Sequence, residues 1–491
     1  MNKTNAFIVL IFIILIITIP GFAQNSLDSL ILSLPAACES YMTQRGWPGL
    51  SIAVVLDNKI IYSQAFGYAD VDKKIPATTN TIYRVGSITK VFNATMLMQL
   101  AEKGIVNLDD PLIKYIPEYT PEYPENCRPT TLLQLATHTA GLHVDCAQGF
   151  WHYYSNFLWV VKKGNGKIDW AVNKDELIAT LNKVKIEYTP TMYPNYSNFG
   201  FQLLGIALEK AANKPFEEYI KTNILEPLGM KSSGFYPGEE HKSLFAKGYV
   251  YLEPDFKRYD APDWDLNVLK YSGGLYSTPE DIARFILFQF KDRGENDSKI
   301  LSGDGLRRMH SPQTLQNPNN KDTYGIGWAL YDDMGERVIG HAGGHWGFGA
   351  KVEFLPDLKF GVVTMTNCNY PGGYLGPDKD LTRIIIEKFI PFLQKKKTVT
   401  VFSPDSVNLK IYTGQYALAG DYANAKVYIK DNKLYMTLLE KPEFDAAFLP
   451  VGVNSFCFDA DPGKAAMLRF KTGENNNITG FEFLDYNFIK K

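Results

Sequence analysis

Cysteine and histidine are scarce in this chain of 491 residues. Its five cysteines are odd in number and irregularly spaced, which argues against a disulfide framework and against a zinc site. The seven histidines are scattered and no His-Glu-x-x-His motif occurs, so the sequence does not point to a metal hydrolase. In an oxidising compartment the pair most expected to form a disulfide is Cys127 with Cys146, with two free thiols as the alternative.

An excess of charge of either sign is also absent. The formal net charge is −2 and 21% of the residues are charged, so neither nucleic acid nor an anionic membrane surface is expected as a partner. A Gly-x-Ser-x-Gly motif is missing as well, and this disfavours an α/β-hydrolase. The hydrophobic fraction of 45% is that of an ordinary globular protein, whose function has to be inferred from local motifs.

The N-terminus has the three parts of a secretory signal peptide. Lys3 forms a short basic region, residues 6–19 are apolar, and Gly21-Phe22-Ala23 fits a small-x-small cleavage site. A membrane anchor is the alternative, although Pro20 interrupts a segment that is already short for a span. No cysteine follows the apolar stretch, which argues against a lipid anchor. We expect residues 1–23 to be removed and the mature protein to be exported, periplasmic or secreted, with no stable membrane anchor.

Hydrophobic patterning divides the remaining chain into two domains joined by a linker. Residues 24–395 begin with a helix and a strand hairpin, are mainly helical from Val91 to about Asp332, and then return to strands. A polar linker covers 396–410, and short alternating strands over 411–491 predict a small all-β domain, either a barrel or a half-barrel. The individual predicted elements are helices over 24–46, 131–142, 201–212 and 381–390, and strands over 50–56, 60–66, 349–355, 360–367, 426–430 and 433–439.

Ser87 and Lys90 lie where strand-like sequence ends and a helical pattern begins. Ser87 is therefore expected at a helix N-terminus, where unpaired N–H groups and the positive end of the helix dipole face its hydroxyl. Lys90 returns to the same face one turn later, and a partly desolvated lysine can act as the base that a serine nucleophile needs. Serine and lysine are common, so the motif alone also suits an N-cap serine followed by a solvated lysine.

Two further blocks follow in sequence order, Tyr196-Ser197-Asn198 and His341-Ala342-Gly343. With these three blocks the chain resembles the serine β-lactamase and penicillin-binding-protein superfamily, on its class C β-lactamase, D-Ala-D-Ala carboxypeptidase and esterase side. The resemblance covers about residues 40–395 and extends to three flanking segments, 135–142, 273–277 and 324–328. It implies an α/β (α+β) fold, in which an antiparallel sheet is flanked by helices and accompanied by a helical subdomain.

The resemblance implies a role for each block. Ser87 would be the nucleophile, and Lys90 and Tyr196 would be the pair that takes its proton and returns it to the leaving group. Tyr196 would need Lys90 beside it, because an isolated phenol has a pKa of roughly 10 and is a poor base at pH 7. Asn198 would bind the amide on the acyl side of the substrate, and the N–H groups of Ser87 and Gly344 would form the oxyanion hole.

His341 departs from the lactamase pattern, in which a lysine at this position binds a substrate carboxylate. A histidine with a pKa of about 6.5 is mostly neutral at pH 7 and holds a carboxylate less well. His341 and Gly343 are still expected to line the substrate site. The departure favours a peptidase or an esterase over a β-lactamase.

Three other features have competing interpretations. Lys471-Thr472-Gly473 is a literal Lys-Thr-Gly sequence, but it falls in the predicted β domain and is interpreted as a hairpin loop. The aromatic-rich stretch 143–170 could line a substrate cleft or form a satellite core. His138 is expected to have a structural hydrogen-bonding role, because no aspartate is specified that would complete a Ser-His-Asp triad.

The sequence therefore predicts an exported serine hydrolase that forms an acyl-enzyme on Ser87 and uses no metal or organic cofactor. The expected substrates are D-amino-acid peptides such as cell-wall fragments, cleaved by a D-stereospecific peptidase or carboxypeptidase. Small esters, and β-lactams cleaved by a class C-like β-lactamase, are the alternative substrates. A protein of another class, a penicillin-binding sensor that is acylated without turnover, also fits these motifs.

Overall fold

The structure is a computed structural model of the chain. It describes residues 26–123, 129–142, 173–179, 181, 184, 186, 194–252, 257–261, 266–291, 300–314, 323–369, 380–396, 408–418, 424–452, 454–458, 467–473, 477–483 and 486–491. Four sequence predictions lie outside these residues: the signal peptide over 1–23, the disulfide between Cys127 and Cys146, the aromatic stretch 143–170 and most of the linker 396–410. No helix in the described ranges combines the length and the apolar character needed to cross a bilayer.

Antiparallel strands form the centre of residues 26–396. The strands, in chain order, are β1 (Gly49–Leu56), β2 (Lys59–Asp70), β3 (Ile75–Pro76), β4 (Tyr83–Arg84), β5 (Tyr249–Leu252), β6 (Lys257–Asp260), β7 (Tyr276–Ser277), β8 (Thr323–Tyr324), β9 (Ala329–Asp333), β10 (Glu336–His345), β11 (Phe348–Leu355), β12 (Phe360–Thr366) and β13 (Cys368–Asn369). Eight of them make one antiparallel sheet in the order β3-β2-β1-β12-β11-β10-β9-β8. β4 pairs with β7, and β13, β5 and β6 form a small separate sheet.

Helices cover both faces of the main sheet. They are α1 (Leu27–Leu32), α2 (Leu34–Arg45), α3 (Thr89–Glu102), α4 (Leu132–Ala136), α5 (Lys174–Ile178), α6 (Asn198–Ala212), α7 (Phe216–Ile220), α8 (Glu239–Lys242), α9 (Lys270–Gly273), α10 (Pro279–Gln289), α11 (Gly303–Met309) and α12 (Leu381–Lys396). Every residue of β1 is buried. Because successive strand residues point to opposite faces, Ala53 and Val55 join the core of α3 and α10, whereas Ile52 and Val54 pack with α2 and α12. The predicted sheet flanked by helices is confirmed.

Two predicted helices differ from the structure for local reasons. The helix predicted over 24–46 is split at Ser33, and Pro35 lies in the first turn of α2, where a missing N–H is harmless. The helix predicted over 131–142 ends at Ala136 and is not closed by a glycine. His138 has a φ of +60°, a left-handed conformation through which an α-helix cannot continue.

The C-terminal part is a closed barrel, which confirms the predicted all-β domain and excludes the half-barrel alternative. Its strands are β14 (Gly414–Leu418), β15 (Asn424–Lys430), β16 (Lys433–Leu438), β17 (Lys441–Gly452), β18 (Ser455–Phe458), β19 (Met467–Thr472), β20 (Ile478–Phe483) and β21 (Tyr486–Lys490). The barrel closes where β21 pairs with β14. Rings fill its core: Phe470 lies 5.4 Å from Phe481, and Phe481 stacks on Phe488 at 4.7 Å between centroids. An eight-stranded barrel is just wide enough for such side chains.

Buried neutral histidines make the fold sensitive to acid. His310, at the end of α11, is 7% exposed, and its Nε2 lies 3.0 Å from Gln289 Oε1. Burial, together with the charges of Arg307 and Arg337, lowers the pKa of His310 to about 3. An unfolded histidine has a pKa of about 6.5. Below that pH the unfolded state therefore takes up a proton that the folded state does not, and stability is lost as the pH falls.

We predict that His310→Gln reduces this sensitivity to acid, because glutamine keeps a hydrogen-bonding amide and does not titrate. Between pH 7 and pH 5, protonation of His310 in the unfolded state should remove about 2 kcal/mol of stability from the wild type. The urea-unfolding midpoint of the whole chain should accordingly fall less in the variant than in the wild type. An equal fall in the two proteins would contradict the prediction.

Candidate active site

Ser87 lies in a tight turn that leads from β4 into α3. A 3-10 turn over Gly86–Ile88 continues directly into α3 at Thr89, so the serine lies at a helix N-terminus as predicted. The Thr89 hydroxyl holds this turn: it donates to the Gly86 carbonyl at 2.7 Å and accepts the Leu275 N–H at 3.0 Å. Gly86 itself has a φ of +52°, which favours glycine. The sharp turn leaves Ser87 only half-buried.

Lys90, one turn further along α3, is completely buried. Its Nζ donates hydrogen bonds to Ser87 Oγ at 2.9 Å, to Asn198 Oδ1 at 2.7 Å and to the Ser272 carbonyl at 2.8 Å. These three acceptors match the three N–H bonds of an ammonium group, and a buried charge needs such partners. The alternative of a solvated lysine is therefore wrong.

Tyr196 and Asn198 come from the segment that leads into α6. Ser197, between them, caps the helix: its Oγ accepts the N–H of Gly200 at 2.9 Å, and α6 therefore begins at Asn198, earlier than predicted. Lys90 Nζ lies 4.9 Å from the centre of the Tyr196 ring. The first two sequence blocks thus meet around one ammonium group.

His138 holds the backbone on both sides of Tyr196. Its carbonyl accepts the N–H of Asn195 at 2.7 Å, and its Nδ1 accepts the N–H of Ser197 at 3.0 Å. The His138 ring also lies 4.4 Å from the Tyr196 ring, centroid to centroid. Burial and the charge of Lys90 hold the pKa of His138 well below its usual value, so the imidazole is neutral and its proton is on Nε2. The predicted hydrogen-bonding role of His138 is confirmed.

Glycines allow β10 to lie directly against the turn that carries Ser87. A Cβ at Gly343 would be 1.8 Å from the Val85 carbonyl oxygen, and a Cβ at Gly86 would be 2.7 Å from the Gly344 nitrogen. Neither position can accommodate a side chain, so backbone contacts backbone. Gly344 is exposed to solvent, and its peptide lies beside the Ser87 turn. The oxyanion hole formed by the N–H groups of Ser87 and Gly344 stays a prediction, with which this close approach agrees.

His341 shares a face of β10 with Gly343, because strand residues two apart point the same way. It is 5% exposed, and its ring centroid lies 6.2 Å from that of Tyr196. Burial and the nearby charge of Lys90 lower the pKa of His341 to about 3. The pKa of His341 therefore lies much further below 7 than the usual histidine value of about 6.5, and the imidazole is neutral at pH 7.

Two parts of the cluster cannot be identified from the sequence. Ser272 contributes its backbone carbonyl, which any residue type could supply. The sequence indicates this position only because the next segment, 273–277, resembles the family. Asn93 is buried on the inner side of α3, where its Nδ2 donates to the carbonyls of Phe201 at 3.1 Å and Tyr271 at 2.9 Å. A buried amide one turn after Lys90, followed by the apolar Met96 and Leu97 on the same face, is the signal that could have indicated this link.

Lys471-Thr472-Gly473 lies in the barrel and not in this cluster. Lys471 and Thr472 end β19, where Lys471 pairs with Gly480 of β20. The Gly473 N–H then donates to the Asn477 carbonyl at 2.8 Å. The triplet therefore ends a strand and begins the connection to the next one, which nearly agrees with the predicted hairpin loop.

The donor types of the cluster are those of a proton-transfer site. Among the residues that the structure describes, no group of three or more His, Cys, Asp and Glu side chains is placed to hold a metal ion. The side chains grouped around Lys90, whose ammonium contacts Ser87, are instead a phenol, an amide and a neutral imidazole. Together with two adjacent backbone peptides they can remove a proton from a hydroxyl and stabilise an oxyanion.

We predict that His138→Ala slows acylation of Ser87 by a penicillin by about tenfold or more, because the Ser197 N–H loses its acceptor and the Tyr196 ring loses its support. His138→Asn is the matched control, since asparagine tolerates a positive φ and its Oδ1 can accept the same N–H. Both rates are measured by time-resolved intact-mass spectrometry. Equal rates in the two variants would contradict a positioning role for His138.

Comparison with known proteins identifies the family. Residues 34–386 match the family model described as Beta-lactamase. The chain is 27% identical to Beta-lactamase-like protein 2 of Dictyostelium discoideum over 465 residues, which cover 88% of this chain and 80% of that protein. It is 26% identical to Protein flp of Staphylococcus aureus (strain MRSA252) over 333 residues, which cover 66% of this chain but only 60% of that protein.

Solved structures agree with the family model. The octameric penicillin-binding protein homologue from Pyrococcus abyssi is 26% identical, with a TM-score of 0.61 over 94% of this chain and 100% of that chain. The Beta-Lactamase/D-Alanine Carboxypeptidase from Pseudomonas syringae is 19% identical, with a TM-score of 0.58 over 74% of this chain and 99% of that chain, and shows the same fold. The family model covers well over half of the chain, and the three blocks that characterise the family lie together in the structure. The protein therefore belongs to the β-lactamase family.

Proposed function

We propose that this protein is a serine hydrolase that cleaves D-amino-acid-containing peptides through an acyl-enzyme on Ser87. The observation that carries the proposal is the 2.9 Å hydrogen bond from the buried Lys90 ammonium to Ser87 Oγ. A serine hydroxyl is a weak nucleophile until a neighbouring group takes its proton, and Lys90 with its neighbour Tyr196 can supply such a group.

Acylation begins when Ser87 Oγ attacks the scissile carbonyl carbon. Lys90 already holds three acceptors as an ammonium, so the proton of Ser87 passes to the Tyr196 oxygen, whose phenolate form a nearby cation favours. Tyr196 then gives this proton to the leaving nitrogen or oxygen as the bond to the carbonyl carbon breaks. The acyl group remains as an ester on Ser87, and the leaving group departs neutral at that atom.

Two backbone N–H groups, those of Ser87 and Gly344, serve as the oxyanion hole. The close approach of Gly86 to Gly344 supports this role, because it brings the peptide of Gly344 next to the turn that carries Ser87. One such donor typically lowers the barrier by about 3 kcal/mol. Asn198 has its Oδ1 held by Lys90, which orients the rest of its amide for contact with the acyl side of the substrate.

Deacylation reverses these steps with water as the nucleophile. Tyr196 takes a proton from water, the resulting hydroxide attacks the ester carbonyl, and Ser87 regains a proton as its bond to the acyl group breaks. Release of the acid regenerates the enzyme. This step distinguishes a hydrolase from a penicillin-binding sensor, which would stop at the ester.

The proposed substrate class rests on similar proteins and on His341. Structures with this fold include one described as a penicillin-binding protein homologue and one described as a β-lactamase and D-alanine carboxypeptidase. A neutral His341 favours peptides and esters over β-lactams that carry a carboxylate. We therefore propose cell-wall-type peptides as substrates and, from the signal-like residues 1–23, an exported enzyme.

We predict that Ser87→Ala reduces turnover of a D-alanine-containing peptide by on the order of 10⁴-fold or more, because it removes the acyl acceptor. Intact-mass spectrometry with a penicillin should also show one adduct on the wild type and none on the variant. Decay of the wild-type adduct with continued product release indicates a hydrolase, whereas a permanent adduct indicates a sensor. An adduct that survives Ser87→Ala would rule out the mechanism.

We also predict that Lys90→Met reduces acylation by about 10³-fold, since it removes the cation that supports Tyr196. Lys471→Ala is the matched control, because the exposed Lys471 lies in the barrel and should keep activity within about twofold of wild type. Circular dichroism checks that both variants fold. If Lys471→Ala abolished activity and His341→Ala did not, the assignment of the third block would be wrong.

A further inference from the structure

Asn93 links α3 to the same two helices as Lys90 does, one turn further along. Its Nδ2 donates to the Phe201 carbonyl in α6 at 3.1 Å and to the Tyr271 carbonyl in α9 at 2.9 Å. Both partners are carbonyl oxygens, which only accept, so the orientation of the amide is fixed. Asn93 is completely buried, and a hydrogen bond in such surroundings is electrostatically stronger than one in water. The amide therefore joins the three helices from inside the core.

The contacts of Asn93 lie next to the contacts of Lys90 on both partner helices. Lys90 donates to Asn198 in α6 and to the Ser272 carbonyl in α9. The α6 carbonyl that Asn93 binds lies three residues after Asn198, and its α9 carbonyl belongs to the residue just before Ser272. The amide thus binds each helix within one turn of the atom that binds the ammonium. A shift at either Asn93 contact would move an acceptor of Lys90 with it.

The short helix α9 depends on its neighbours for its position. It consists of four residues, and a helix of one turn is not stable by itself. It lies directly on α6, where a Cβ at Gly205 would overlap the Tyr271 ring. Towards α3 it is held by Lys90, whose four-carbon stem is flexible, and by Asn93, whose side chain has only two torsions. The shorter side chain sets the distance between α3 and α9 more tightly.

We propose that Asn93 is a positioning residue for the reaction, which fixes the Lys90 ammonium by fixing the two helices that supply its acceptors. It acts through Lys90 and not on the substrate. The inference rests on the serine-hydrolase function proposed above and adds a residue to its machinery. When Asn93 is replaced, the ammonium is held less closely to the Tyr196 ring. The phenolate that receives the Ser87 proton then forms less readily, and acylation slows.

The test compares Asn93→Leu with Gln99→Met in the full-length protein. Gln99 is the matched control, because it is a buried amide on the same helix, nine residues after Lys90. Its Nε2 donates to two backbone carbonyls, those of Asn223 and Ile300. Each variant replaces an amide by an apolar side chain of similar size, so each should lower the urea-unfolding midpoint. A general role in packing would therefore act alike in the two variants.

The readout is kcat/KM for p-nitrophenyl acetate from about pH 5 to about pH 10, corrected for the rate of Ser87→Ala. This leaving group departs as an anion that needs no proton, so the profile follows removal of the Ser87 proton. Asn93→Leu should lower kcat/KM at pH 7 by about tenfold or more and move the acid limb of the profile to higher pH by at least about half a unit. Gln99→Met should stay within about twofold of the wild type, with the limb unchanged.

The outcomes separate this inference from the function on which it rests. An Asn93→Leu profile that moves no more than that of Gln99→Met overturns the role of Asn93 and leaves the Ser87 mechanism standing. Asn93→Ser covers the case in which leucine prevents folding, because its smaller side chain leaves space for water at the two carbonyls. Its limb should move in the same direction, and an unmoved limb in this variant also overturns the inference. If the wild type shows no reaction that depends on Ser87 with this ester or with a penicillin, the proposed function fails and the inference fails with it.

Discussion

The rest of the site depends on the hydrogen bonds that the Lys90 ammonium group donates. Its three hydrogen bonds join α3 to Asn198 at the start of α6 and to the Ser272 carbonyl in α9. Removing one partner from a buried charge is strongly destabilising, so these three helices have to be packed correctly for the charge to be tolerated. Asn93 reinforces the same junction with two further hydrogen bonds. The packing of the helices and the activation of Ser87 therefore have a common origin.

This one charge also sets the state of the groups around it. Burial and this charge together lower the pKa of both His138 and His341, which stay neutral near Tyr196. Their tautomers are opposite: His138 has its proton on Nε2 because Nδ1 accepts from Ser197, and His341 has its proton on Nδ1 because Nδ1 donates to Ala342. Tyr196 thus lies near two neutral rings and beside the Lys90 cation, whose charge favours the phenolate form of the tyrosine.

The sequence motifs, and the family resemblance that they carry, were sufficient to predict the parts of the fold and site that side-chain chemistry specifies. The sheet flanked by helices, the all-β C-terminal domain and the meeting of Ser87, Lys90 and Asn198 belong to this group. The features that the sequence did not predict depend on backbone positions. The residue type at position 272 does not predict that its carbonyl accepts a hydrogen bond from Lys90. Nor does the residue type at 138 predict a φ of +60°, which ends α4 early. The depth of burial of His341, which makes its imidazole neutral, likewise follows from three-dimensional packing.

The pairing of β1 with β12 has a consequence for how the chain reaches this structure. Leu50 lies opposite Thr366, so β1, which pairs with β2 on one side, finds its neighbour on the other side only after most of the first domain has been synthesised. Contacts between residues so far apart in sequence slow folding, because a long loop must close before they form. Until then β1 exposes apolar side chains on both of its faces. A nascent chain of this protein therefore needs protection from aggregation over a long interval of its synthesis.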